Sequence, residues 1–231
     1  MDTPGSVGPA GHRRRLFARF HATGGAGFSD SELLELLLCH AIPRRDVKPA
    51  AKALLARFSS IRGVLGADEA ELLTVPGVGP GTAALLRLVH RIFARSLRDD
   101  LRRARVGSPE KVTAEYLCWS CGSLREERLT LLLLDKSDRL LDHLDPGGAR
   151  AVLCSRRELL LRVLSRYDVA AVVAVHNHPD GRINPSEADL NTTRMLGGVL
   201  AAAGVRLKDS LIVTDRRCVS LMKLTPERPG R

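Results

Sequence analysis

The apolar run Val169–Val175 ends abruptly at His176-Asn177-His178-Pro179-Asp180-Gly181, and this change constrains the fold more than any other feature. Seven consecutive apolar residues read as the central strand. Asn177-His178-Pro179-Asp180-Gly181 breaks the strand and leaves both histidines at its open mouth. Ser186-Glu187-Ala188-Asp189 then carries the signature of a helix start, a capping serine with an acid three residues on. The frame is strand, loop, helix. Side chains alternate along a strand, so His176 and His178 project to one side. Asp189 joins them from the first helical turn. Two nitrogens and one oxygen around a point, with a fourth position open, is the layout of a catalytic rather than a structural zinc site.

A metal in that position lowers the pKa of a bound water to about 7. A proton acceptor is still needed, and Glu126 and Glu127, just before the strand at Leu129, are the candidates. Each half of the pattern also has a plain reading. Ser186-x-x-Asp189 is an ordinary capping pair, and His-Asn-His before Pro-Asp-Gly can be a polar loop. It is the two halves together, at this spacing, that point to a metal.

Around this frame the chain divides in character. Residues 1–12 are Pro/Gly-rich and read as a disordered tail, without the apolar segment of a signal peptide. Residues 13–106 read as all-helical. Ser29–Leu38 opens with capping residues, and Asp46–Phe58 repeats Val47, Ala50, Ala51, Leu54, Leu55 and Phe58 at helical spacing. Leu72 to Leu86 contains Pro76-Gly77-Val78-Gly79-Pro80-Gly81, a glycine turn between two helices, which is a helix-hairpin-helix pattern. Gly77, Gly79 and Gly81 let backbone N–H groups approach a ligand, and the second helix's N-terminus favours an anion such as phosphate. Arg87, Arg91, Arg95 and Arg98 follow on that helix and its continuation, where they could add phosphate contacts.

Gly107-Ser108-Pro109 reads as a linker, and residues 107–231 form the second domain. Its elements are a strand over Leu129–Asp135 with a hairpin partner over Asp138–Asp145, a short strand at Arg150–Cys154 and a helix at Arg156–Arg166. The central strand follows, then a helix over Ser186–Ala203, and strands at Ser210–Thr214 and Cys218–Leu221. Strands interleaved with helices give a mixed α/β or α+β domain.

The net charge of +10 is unevenly spread: 17 Lys/Arg against 10 Asp/Glu in residues 1–106, and 19 against 16 thereafter. The helical half is therefore the expected surface for a polyanion, with duplex DNA as the partner. No stretch approaches ~18 apolar residues, which with the absent signal segment points to a cytoplasmic protein without membrane contact. The five cysteines are scattered and odd in number, so no disulfide framework is expected. Cys118-Trp119-Ser120-Cys121 reads as two buried cysteines one helical turn apart rather than a redox or zinc site. A zinc deaminase is excluded, because it needs His-x-Glu with Pro-Cys-x-x-Cys. The string His-Asn-His is also not the motif of the nucleases so named, which draw those residues from separate parts of a hairpin–helix unit.

His-x-His, ten residues and then Asp, with Ser three before it, resembles the JAMM (MPN-plus) zinc metalloprotease signature. More closely, His-Asn-His-Pro-x-Gly followed by Pro-Ser-x-x-Asp resembles the RadC family, which also carries an N-terminal helix-hairpin-helix region. The resemblance implies an α/β (α+β), JAMM/MPN-type, cytidine-deaminase-like C-terminal domain, preceded by a small all-α helix-hairpin-helix domain. It further implies that His176, His178 and Asp189 bind one zinc ion. Glu127, rather than Glu126, would move the proton to the leaving amine, and Ser186 would donate to the oxyanion. Three positions depart from the family pattern. Asp180 replaces a serine, Asp209-Ser210 replaces Asp-His, and Ser155-Arg156-Arg157-Glu158 replaces a Pro-Arg-Glu helix start. The lost histidine lies outside the metal signature and bears on the pocket's details.

Two functions follow. One is a zinc-dependent peptidase or isopeptidase acting on an unidentified protein or peptide. The other is a DNA-binding accessory of repair or recombination, in which the zinc domain is structural or vestigial. A metallonuclease delivered by the hairpin combines them.

Overall fold

The computed structural model describes residues 9–106, 111–144 and 168–224. The short strand read at 150–154, the helix at 156–166 and the linker glycine at 107 lie outside them. The chain divides into two compact units, residues 1–92 and 93–231.

The first unit is helical: α1 (Pro9–Thr23), α2 (Asp30–Ala41), α3 (Lys48–Phe58), α4 (Ile61–Gly66), α5 (Glu69–Leu73) and the start of α6 (Pro80–Arg103). Helix α1 begins at Pro9, inside the segment that the sequence assigns to the tail. The expected capping at Ser29 is present. Its side chain accepts the Glu32 amide while Glu32 returns a bond to the Ser29 amide at 2.9 Å. Asp46 takes the Lys48 amide at 3.0 Å, so α3 starts two residues later than its periodicity suggests. Val47, Ala50, Ala51 and Leu54 are buried with Leu34, Leu38, Val64 and Leu72, as the apolar spacing requires. Between α5 and α6 the chain turns through Gly77, whose φ of +87° suits glycine. Val75 and Val78 point inward on either side of it.

The second unit contains the rest of α6 from Phe93, then α7 (Lys111–Ser120), β1 (Leu129–Leu134), β2 (Leu140–Leu144), β3 (Ala171–Asn177), α8 (Glu187–Ala202), β4 (Arg206–Val213), β5 (Cys218–Ser220) and α9 (Leu221–Leu224). The sheet order is β2-β1-β3-β4-β5. Among the described residues only the β3–β4 pair is parallel, and α8 lies between these strands in sequence, as a crossover demands. Alternation along β1 and β3 creates two cores. Leu132, Leu134, Ala171, Val173 and Val175 pack with Tyr116, Leu117, Cys118 and Cys121 at α7. Leu129, Leu131, Leu133, Val172 and Ala174 pack with Leu196 and Leu200 of α8. Helices on both faces explain why β1 and β3 are apolar at nearly every position.

Two strands differ in extent from the sequence reading. β3 is shifted to 171–177, because His176 pairs with Leu129 on one side and Ile212 on the other. Polar residues there do not end a strand whose neighbours still supply hydrogen bonds. β4 starts at Arg206 rather than Ser210. Its polar beginning is held by Lys208 and Arg206, which pair with Asp138 at 2.7 and 3.1 Å. Among the described residues, no helix is long and apolar enough to cross a membrane.

Candidate metal centre

β3 carries His176 and His178 onto the face covered by α8. They continue the parity of Val172 and Ala174, which pack against Leu196 and Leu200. Ser186 caps α8 and fixes Asp189 on the helix's first turn. The hydroxyl accepts the Asp189 amide at 3.2 Å, and the Ser186 amide donates to Asp189 Oδ2 at 2.8 Å. The hydroxyl donates to the same oxygen at 2.7 Å. The three expected ligands therefore converge. One donor atom from each of His176, His178 and Asp189 lies within 4.8 Å of the others. Among the described residues this is the only such group of His, Cys, Asp and Glu. Cys118 and Cys121 are instead buried, reduced core residues.

The polar contacts fit a cation. His178 Nδ1 lies 2.9 Å from the Arg182 carbonyl, which can only accept, so the ring proton sits on Nδ1. That leaves the Nε2 lone pair directed at the cluster, 3.4 Å from Asp189 Oδ2. His176 Nδ1 lies 2.6 Å from Asp189 Oδ1. Among the described residues its buried Nε2 has no hydrogen-bond partner, a state that a metal ion would relieve. Burial pushes the Asp189 carboxyl up, but the Ser186 hydroxyl and amide and the His176 ring outweigh it and hold the carboxyl below its ordinary value. Two imidazoles and an ionised carboxylate suit a divalent cation of the zinc type.

A cavity of about 700 Å³ opens over the triad. Glu127 lines it together with His176, His178, Ser186 and Asp189, whereas Glu126 is not in the wall and pairs with Arg128 at 3.5 Å. The register explains the difference. Leu129 opposes His176, so continuing the antiparallel ladder brings Glu127 level with His178 on the same face. Asp180 also lines the cavity, while the residue at the lost histidine does not. Ser210 lies beneath α8 with its hydroxyl 2.9 Å from that of Thr193. Asp209 is buried against Ser220, whose hydroxyl donates to it at 2.8 Å. Ser210 thus joins the sheet to α8 and Asp209 joins β4 to β5, and neither lines the cavity wall.

The residues proposed for DNA lie in the other unit. Gly77 and Gly81 are exposed and Gly79 is half-buried. No atom outside the turn comes within 4 Å of a side chain built at Gly79 or Gly81. Arg87 pairs with Glu69 of α5 at 3.1 Å, with both side chains substantially exposed.

The sequence reading did not anticipate two groups around the triad: the Arg182 carbonyl, which sets the His178 tautomer, and Asn177. The signal for Asn177 was available. By alternation it must point away from the two histidines, into the opposite core, where a buried amide needs partners.

A mixed sheet between helices, with a His-His-Asp cluster that could hold a metal ion at the end of its central strand, defines a mixed α/β domain. Residues 106–226 match the family model of the RadC-like JAB domain. That match covers more than half of the chain, and the protein belongs to the RadC family. Its JAB domain places it with the JAMM-type family of metal-dependent hydrolases.

Proposed function

We propose that the protein is a zinc-dependent metallopeptidase or isopeptidase. The observation that carries this reading is the convergence of His176, His178 and Asp189, with the bare His176 Nε2, in a cavity that Glu127 also lines. Zinc, when bound, acidifies a coordinated water to about neutral pKa and polarises the scissile carbonyl. Glu127 accepts the released proton and delivers it to the departing amine. The Arg182 carbonyl and the Ser186 hydroxyl orient His178 and Asp189, as outer partners of metal ligands do. The single Ser186 proton is donated to Asp189 Oδ2 in this structure. An oxyanion role for Ser186 therefore requires the hydroxyl to turn toward substrate. The layered sheet also fits the cytidine-deaminase-like description of such domains.

Elemental analysis of the purified protein tests the reading first, with about one zinc per chain expected. Glu127→Gln should keep that zinc and abolish cleavage of peptide and isopeptide substrates. A metal-free protein with its fold intact refutes the proposal.

A second reading concerns DNA, with the α5–turn–α6 segment as a helix-hairpin-helix. It is favoured by the exposed glycine turn at the N-terminus of a 24-residue helix and by the basic excess of the first 106 residues. Duplex affinity should fall steeply with salt and weaken in Gly77→Glu. Absence of binding at low salt refutes it. Cleavage of single- or double-stranded DNA that Glu127→Gln abolishes would reassign the centre as a metallonuclease. A cytoplasmic location accords with either reading.

A further inference from the structure

We propose that Asn177, the middle residue of the His-Asn-His turn, is the positioning residue for Glu127; this rests on the reading of Glu127 as the proton acceptor. Asn177 is 1% exposed and belongs to the face of β3 opposite the two histidines. Its side-chain Oδ1 accepts the Arg128 amide at 2.7 Å. Its Nδ2 donates to the Glu126 carbonyl at 2.9 Å and to the Leu124 carbonyl at 3.4 Å. The Asn177 backbone amide adds a bond to the Arg128 carbonyl at 3.3 Å.

The Glu126 carbonyl belongs to the peptide group before Glu127, and the Arg128 amide to the peptide group after it. One side chain therefore grips the backbone on both sides of Glu127. The carboxylate-bearing residue itself is exposed and precedes the first residue of β1. Without this grip, the segment would lose two bonds that flank Glu127 directly and would lean on the Leu124 amide's bond to the Cys121 carbonyl at 3.1 Å and on the ladder that begins at residue 128. The amide orientation is fixed by its partners, since an N–H faces Oδ1 and carbonyls face Nδ2. Among side chains of this length only asparagine supplies both an acceptor and two donors. Aspartate lacks the donors, serine reaches one partner, and glutamine is one methylene too long.

The test uses the full chain loaded with cobalt(II). Azide serves as the probe for the open coordination position, and the visible cobalt bands report its binding. Glu127→Gln removes a negative charge beside that position and should tighten azide by about threefold to tenfold. Asn177→Ala should tighten azide in the same direction with one cobalt per chain retained, although Glu127 is still present. In the Glu127→Gln background it should add nothing. Asn177→Ser carries the same comparison should the alanine variant fold poorly, and amide hydrogen exchange at Arg128 should accelerate in either. If Glu127→Gln leaves azide affinity unchanged, the reading of Glu127 fails and this inference falls with it. Should Glu127→Gln act while both Asn177 variants match the wild type, the positioning role alone is overturned. Effects that add independently in the double variant overturn it as well, because Asn177 would then act by another route.

Discussion

Ser186→Ala separates two roles that the sequence leaves superimposed on one hydroxyl. The Ser186 hydroxyl accepts the Asp189 amide at 3.2 Å and donates to Asp189 Oδ2 at 2.7 Å. Losing the cap costs about 1 kcal/mol, and losing a hydrogen bond to a charged group about 1.5–3 kcal/mol. The Ser186 backbone amide keeps its 2.8 Å bond to Oδ2, and the cavity gives the carboxylate access to water. The net loss should therefore be about 2 kcal/mol rather than the full sum. Since the displaced carboxylate is a proposed metal ligand, zinc affinity should fall about tenfold to a hundredfold, the usual penalty for removing an outer partner. Asp189 has a lowered carboxyl pKa in the fold. Its contribution is therefore complete above the ordinary value of 3.8 and lost as the pH falls through the folded value. The alanine variant should begin acid unfolding at a higher pH. Competition with a chromophoric chelator measures the affinity, and urea unfolding of the metal-free protein measures the stability. Unchanged zinc affinity, with only amide turnover reduced, would show that the hydroxyl serves the substrate and that its bond to Asp189 does not hold the ligand.

Burial pushes the Asp209 carboxyl up, with the Ser220 hydroxyl and Ser210 amide opposing. Its contribution is then fully present below pH 3.8 and lost as pH rises through the raised folded value, so wild-type melting temperature should decline over that window while Asp209→Asn lacks the slope; identical slopes refute this. In Gly122→Ala, the new methyl would run into the Thr214 carbonyl, a backbone group that cannot step aside. A loss of at least about 2 kcal/mol is expected in urea unfolding, and a neutral result would mean that the α7 terminus yields. Ser210→Ala strands the Thr193 hydroxyl at a cost of about 1 kcal/mol, and adding Thr193→Val should recover part of it, because removing both partners is milder than removing one. Additive losses in a double-mutant cycle would show that the two hydroxyls do not depend on each other.

What could be read from the sequence was what depends on neighbours along the chain. The start of α8 was legible because Ser186 and Asp189 cap within one turn, and the triad followed from alternation and that cap. The bounds of β3 and β4 were not. His176, Asn177, Arg206 and Lys208 look like loop residues until the flanking strands and Asp138 are in place. Asn177 was visible as a letter in a motif, but its role depends on Arg128, 49 residues away in sequence, and hence on the β1–β3 register. The same holds for Ser210. It could be noticed as a missing histidine, but only the pairing of β4 with β3 shows that it lies under Thr193 and outside the cavity wall.

That register links the two halves of the chemistry. Residues 172, 174, 176 and 178 of the central strand and its continuation share one face, and 171, 173, 175 and 177 the other. The proposed metal ligands belong to the first set, and the asparagine that grips the Glu127 segment to the second. Both settings derive from Leu129 opposing His176. A slip of one residue would turn the histidines into the α7 core and carry the asparagine to the α8 side. It would also turn the imidazoles toward the apolar core of the other face, without the carboxylate of Asp189 to meet them. The apolar packing on both faces of β3 therefore does more than stabilise the sheet. By making a one-residue slip bury polar rings in the opposite core, it disfavours that slip and keeps His176, His178, Asp189 and Glu127 around one cavity.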